Sequence, residues 1–176
     1  HQAAEQAIAY AKALQVPSVN ILAGKQPHDA DLLPCLNTLA SNLKMACQMF
    51  SSHGIRPVFE MINGTDMPRF LIQNIAQAQE ILEAVRHPAL KMQYDCYHMA
   101  MMGEDVLEGL QENIDSIGHI QFADCPARHE PDTGKIDYAA IFSWLKQSPY
   151  AGYTAAEYRP SQASEKTFAW KDKYFA

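Results

Sequence analysis

Short apolar strands and longer amphipathic helices alternate strictly along this chain, and that order constrains its fold more than any other feature. Ala4, Ala7, Ile8, Ala11 and Leu14 recur at helical spacing over Gln2–Leu14, and Pro17 follows. Ser18–Ala23 reads as a strand closed by Gly24. A helix is predicted over Asp31–Ser52, with Leu32, Leu36, Leu39, Leu43 and Ala46 on one face, Pro34 in its first turn and Gly54 just beyond its end. Further strands are predicted at Pro57–Ile62, Leu90–Tyr94, Ile117–Ala123 and Tyr153–Tyr158. Helices follow at Asn74–Arg86, Val106–Ser116, Tyr138–Gln147 and Ser161–Tyr174, with an Asn63-Gly64 turn and a polar loop over Asp124–Lys135. One helix and then five strand–helix rounds imply an α/β fold with parallel strands and helices outside. A doubly wound sheet and a (β/α) barrel both fit. The chain lacks GxGxxG after its first strand and GxxxxGK[ST] anywhere, which removes support from the nucleotide-binding versions.

The chain of 176 residues suits one domain over 1–176 with a sizeable core. Lys plus Arg number 14 against 20 Asp plus Glu, a net charge of -6. That balance argues against nucleic acid as a partner and leaves room for a small anionic substrate met by one local cation. No apolar run is long enough for a membrane span, and no leader-like segment opens the chain. Cys35, Cys47, Cys96 and Cys125 form no CxxC pair, so we expect free thiols in a reducing cytoplasm. The chain begins inside a helical pattern with neither Met nor a capping residue before it, so we expect it to be part of a longer protein.

Oxygen-bearing side chains recur at successive strand ends. Glu60, Asp95, Gln121 and Glu157 each lie in or beside a predicted strand, one strand–helix unit apart. In a barrel such positions converge on one face. Each alone is an ordinary strand-end polar residue; the set is the signal. Three converging carboxylates repel unless a cation joins them. Carboxylate and amide oxygens suit Mg²⁺ or Mn²⁺ better than zinc.

Five segments carry a family resemblance. They are Phe59-Glu60-Met61-Ile62-Asn63, Gln93-Tyr94-Asp95-Cys96-Tyr97-His98-Met99, Gly118-His119-Ile120-Gln121-Phe122-Ala123-Asp124, the stretch Arg128–Tyr138, and Glu157-Tyr158-Arg159-Pro160. In order, across essentially the whole chain, they resemble the hydroxypyruvate isomerase family of the xylose-isomerase-like TIM barrels. The resemblance implies metal ligands at Glu60, Asp95, Gln121 and Glu157, with Glu60 and Glu157 doubling as the acid/base pair. It implies substrate contacts at His98 and Arg128. Asp132 and Lys135 depart from the family's usual Gly and Glu, which puts the loop's shape in question. The implied reaction interconverts hydroxypyruvate and tartronate semialdehyde through an enediolate. The implied barrel has eight strands, of which this chain supplies about five; its open edges could pair with another chain or a second copy.

Lys25, after the first strand, is a further substrate-binding candidate. His119 is expected to face away from Gln121, and His28, His53 and His87 to lie near helix ends. Three rivals stand beside the main reading: a 2-oxo-tetronate isomerase of the same family, a non-catalytic truncated barrel, and a DNA-repair nuclease on the same barrel. The nuclease needs His-rich zinc ligands and a basic groove, which this sequence lacks.

Overall fold

The computed structural model describes all 176 residues. Five strands, β1 (Ser18–Asn20), β2 (Arg56–Glu60), β3 (Lys91–Asp95), β4 (Ile117–Phe122) and β5 (Thr154–Ala156), form one parallel sheet in the order β1-β2-β3-β4-β5. Sequential order without reversal decides between the two architectures: a doubly wound sheet changes direction at a switch point, whereas a barrel does not. The sheet is a half-barrel, with β1 and β5 at its edges.

The helices are α1 (Gln2–Leu14), α2 (Leu32–Ser51), α3 (Ile75–Val85), α4 (Cys96–Met101), α5 (Val106–Asn113), α6 (Tyr138–Gln147) and α7 (Ala169–Phe175). Local chemistry starts several of them. The Asn74, Asp105 and Asp137 side chains accept from Gln77, Glu108 and Ala140 amides at 2.9–3.0 Å, capping α3, α5 and α6. Met92, Tyr94, Ile120 and Phe122 point outward from the sheet and pack with Ile81, Leu110 and Phe142 in the main apolar cluster. Burying each such side chain stabilises the fold by roughly 1.5–3 kcal/mol.

The predicted strand order holds, with shorter ends. β1 stops at Asn20 instead of Ala23 because only three residues pair with β2. β5 covers three residues and leaves Glu157 just beyond it. The tail divides into a 3₁₀ turn at Ser164–Lys166 and α7. The short helix α4 was not expected; it follows directly from β3, with the Asp95 carboxylate capping it.

One irregularity fixes which residues face inward. Met92 pairs with Ile117, but Gln93 pairs with His119, so Gly118 is an extra residue on β4. A β-carbon on Gly118 would lie 2.7 Å from Lys91 Cβ, which explains the glycine. Beyond this bulge Asp95 aligns with Gln121. His119 is two residues from Gln121 and therefore shares its face, contrary to expectation, because strand side chains alternate with a period of two. Burial holds the His119 ring below its usual value, with the Glu157 charge acting the other way.

Candidate functional site

Strand ends place the polar residues on the inner face. Glu60 and Asp95 terminate β2 and β3, Gln121 is the penultimate residue of β4, and Glu157 follows β5. Glu60, Gln121 and Glu157 line one cavity of about 470 Å³ with His98 and Arg128; Asp95, fully buried, is not part of that lining and sits behind it against Arg128 and His98. Lys25 is not among them. It lies in a neighbouring groove between the β1 exit and α2, bridged to Phe70.

Asp95 shows how local folding aims a carboxylate. Its Oδ1 accepts from the Tyr97 amide at 2.9 Å and caps α4, which leaves Oδ2 for Arg128 and His98. Oδ2 is 3.3 Å from Arg128 Nη2 and 3.7 Å from His98 Nε2. Glu60 is divided similarly: Oε2 accepts from Asn20 Nδ2 at 2.8 Å, and Oε1 is 4.0 Å from His98 Nε2. Burial and the neighbouring Asp95 charge raise Glu60 from 4.5 to about 7. Burial raises Asp95 from 3.8 to about 6, with Arg128 pulling the other way.

The hydrogen bonds around His98 decide its tautomer. Asn63 Oδ1 accepts from the Thr65 and Asp66 amides, which fixes its own amide orientation. Asn63 Nδ2 and the Asn63 amide therefore both donate toward His98 Nδ1, at 2.6 and 3.4 Å. Nδ1 must accept, so the neutral ring carries its proton on Nε2, facing the carboxylates. Burial, and then the Arg128 charge, lowers His98 from 6.5 to about 4, so the ring is neutral near pH 7. It is suited to donate a hydrogen bond.

Glu60, Asp95 and His98 each offer a ligand-type atom within 4.8 Å of the others, all buried. Two buried carboxylates in contact favour a cation, and a divalent ion fits this donor set. His98 can serve as a ligand only if its proton moves to Nδ1, against the two donors of Asn63; as it stands, Nε2 donates. Gln121 Oε1 accepts from Gln93 Nε2 at 2.6 Å, which orients the Gln121 amide. Glu157, half exposed, stands outside the 4.8 Å cluster and joins it through Arg128, whose Nη2 is 2.9 Å from Glu157 Oε2.

The loop after β4 carries Arg128. Asp124 gathers it: Oδ1 accepts from the Cys125 and Ile136 amides at 2.8 and 3.1 Å, and Oδ2 from Thr133 and Gly134 at 3.0 and 2.8 Å. A β-carbon on Gly134 would strike the Cys125 carbonyl oxygen. Buried Glu130 accepts from the amide and hydroxyl of Ser161, and the Arg159 amide donates to the Arg128 carbonyl at 2.7 Å. The loop is thus tied to the chain leaving β5. Asp132, one of the two unusual loop positions, has φ +74 and binds Lys173 and Tyr174 of α7. Sequence reading did not single out Asn20, Asn63, Gln93 or Glu130. Asn20 and Gln93 left one signal, a polar residue inside an apolar strand.

Comparison with known proteins agrees with the topology. A 2-oxo-tetronate isomerase from Cupriavidus necator is 34% identical over 96% of this chain and 65% of its own. A hydroxypyruvate isomerase from Escherichia coli is 37% identical over the same shares. The chain thus spans about 65% of the length of these curated relatives. Among solved structures, an AP endonuclease of family 2 from Brucella melitensis superposes with a TM-score of 0.92 at 30% identity, over 97% of this chain and 66% of the other. The IolI protein, solved with a bound zinc atom, shares the fold with a TM-score of 0.77 at 18% identity, over 99% of this chain and 70% of the other. A family profile described as the xylose isomerase-like TIM barrel matches residues 1–174, nearly the entire chain. Parallel strands in barrel order, inward carboxylates at their ends and that match together make this chain a member of the xylose isomerase-like TIM barrel family.

Proposed function

We propose that this chain carries the catalytic face of a metal-dependent isomerase that interconverts hydroxypyruvate and tartronate semialdehyde. The observation that carries the reading is the convergence of Glu60, Gln121, Glu157, His98 and Arg128 on one cavity, with Asp95 buried directly behind it and joined to Glu60, His98 and Arg128. Glu60, Asp95, Gln121 and Glu157 would hold a divalent ion, Mg²⁺ or Mn²⁺ by their oxygen chemistry. When bound, that ion supplies Lewis-acid stabilisation of negative charge on the substrate oxygens.

The chain's own residues move the protons. Isomerisation removes one proton from the hydroxyl-bearing carbon, leaving an enediolate, and returns one to the former carbonyl carbon; a second proton passes between the two oxygens. No oxidant or reductant is consumed. Glu60 and Glu157, which both line the cavity, exchange the carbon-bound proton. His98 donates through Nε2 to a substrate oxygen. Arg128 faces the substrate carboxylate, for which a guanidinium fork is suited. The four cysteines are free thiols, in keeping with the cytoplasm as its compartment.

A second substrate, a 2-oxo-tetronate, is favoured by the similarity to the Cupriavidus necator enzyme of that name. A nuclease reading has less behind it: the net charge is -6 and no basic groove lines the cavity. The test incubates the protein with Mn²⁺ and each acid in D₂O and follows deuterium entry and aldehyde formation. Both are expected, and both fall at least a hundredfold in Glu60→Gln and Glu157→Gln. Full activity in both variants refutes the mechanism, and exchange with the four-carbon acid alone moves the substrate.

A further inference from the structure

Arg128 stands on the oxygens that a cation would need. Its Nη2 is 2.9 Å from Glu157 Oε2 and 3.3 Å from Asp95 Oδ2. No Lys or other Arg lies within salt-bridge distance of either carboxylate. The guanidinium carbon sits 4.9 Å from the centre of the Tyr97 ring. One group therefore satisfies a fully buried carboxylate and a half-exposed one together.

The two contacts differ in kind. The bond to Glu157 lies toward solvent, where ion pairs hold weakly and are readily exchanged. Asp95 has a side-chain exposure of 0%, so withdrawing its cation without a replacement strands a buried charge. Near neutral pH, departure of Arg128 from Asp95 is costly unless another cation takes its place. The loop makes this a side-chain movement, because the backbone is held at φ +57 with its carbonyl bonded to the Arg159 amide. The Asp124 knot and the Glu130–Ser161 tie lie on either side. The Arg128 side chain keeps 20% exposure, which gives it a route outward over the cavity.

We propose that Arg128 is a built-in occupant of the cation position, holding Asp95 and Glu157 until a divalent ion takes them, and that its released guanidinium then becomes the receptor for the substrate carboxylate. The second half rests on the isomerase reading; the first does not. The exchange imposes an order, ion before acid, because the receptor exists only after the ion has bound.

The test uses Mg²⁺ and Mn²⁺ without substrate. The chain has five arginines, so their side-chain ¹⁵Nε resonances can be assigned individually. Saturating Mg²⁺ shifts the Arg128 resonance of the unaltered protein; if it stays in place, the exchange is overturned. Calorimetry with Mn²⁺ gives at least tenfold tighter binding in Arg128→Met, where the competing cation is gone, and an intermediate gain in Arg128→Lys. Equal or weaker binding in Arg128→Met overturns the proposal, since a merely structural arginine predicts loss. With hydroxypyruvate, KM rises at least tenfold in Arg128→Met and kcat changes less; an unchanged KM removes the receptor half. If the resonance shifts and Mn²⁺ affinity rises while no acid is turned over, the exchange stands and the isomerase reading fails.

Discussion

Replacing Asp124 by Asn separates the loop that carries Arg128 from the barrel that carries the carboxylates. Each Asp124 oxygen accepts two backbone amides. Asn keeps one oxygen and turns the other into an NH₂ group facing two N–H donors. Hydrogen bonds to a charged acceptor contribute roughly 1.5–3 kcal/mol each, so losing two costs about 3 kcal/mol or more. The loss falls on opening of the loop between Asp124 and Ile136, because β4 itself is held by its ladder to β3 and β5. At about 1.4 kcal/mol per tenfold, the Thr133 and Gly134 amides should exchange with solvent deuterium about a hundredfold faster. The Ile120 and Phe122 amides serve as the internal reference. Unchanged exchange at Thr133 and Gly134 refutes the account of Asp124 as the knot of the loop. An equal acceleration in β4 refutes its locality and makes Asp124 a support of the whole fold.

Two further outcomes follow from the site and the core. Metal-free protein should lose stability relative to Glu60→Gln as pH rises from 4.5 to 7, because folded Glu60 keeps its proton up to about 7 while the unfolded carboxyl releases it near 4.5. The full difference is about 3 kcal/mol by urea denaturation, and a flat or rising difference refutes the buried-carboxylate reading. Phe142→Ala should cost about 3–5 kcal/mol, because that ring is 2% exposed and packs with Phe122, Tyr138, Tyr174 and Phe175; a loss below 1 kcal/mol would show that the outer cluster is not a core.

Strand order and the inward carboxylates were legible because periodicity and chain spacing are properties of sequence. The short helix α4 was not, because Cys96–Met101 is a single apolar run without helical alternation, and Asp95 reads as a strand end until its cap is seen. His119 shares the inner face with Gln121 because the two are two residues apart beyond the Gly118 bulge. The roles of Asn63 and Glu130 were invisible, since each depends on a partner that folding brings near: His98 for one, Ser161 for the other. The pairing of Arg128 with Asp95 and Glu157 is likewise one that spacing does not encode.

The bulge at Gly118 has a consequence for how such a chain can vary. It places Gln121 beside Asp95, and that alignment depends on the number of residues between the start of β4 and the cavity. Substitutions leave a count intact. A one-residue insertion between Gly118 and His119 does not: it turns Gln121 and His119 toward the helices and sends Ile120 and Phe122 into the cavity, whereas loss of Gly118 itself only removes the bulge and keeps Gln121 beside Asp95. The strand can therefore shorten by its one bulged residue but not lengthen without cost, and a relative with a longer β4 must hold the added residue in a further bulge or build its inner face from other residues.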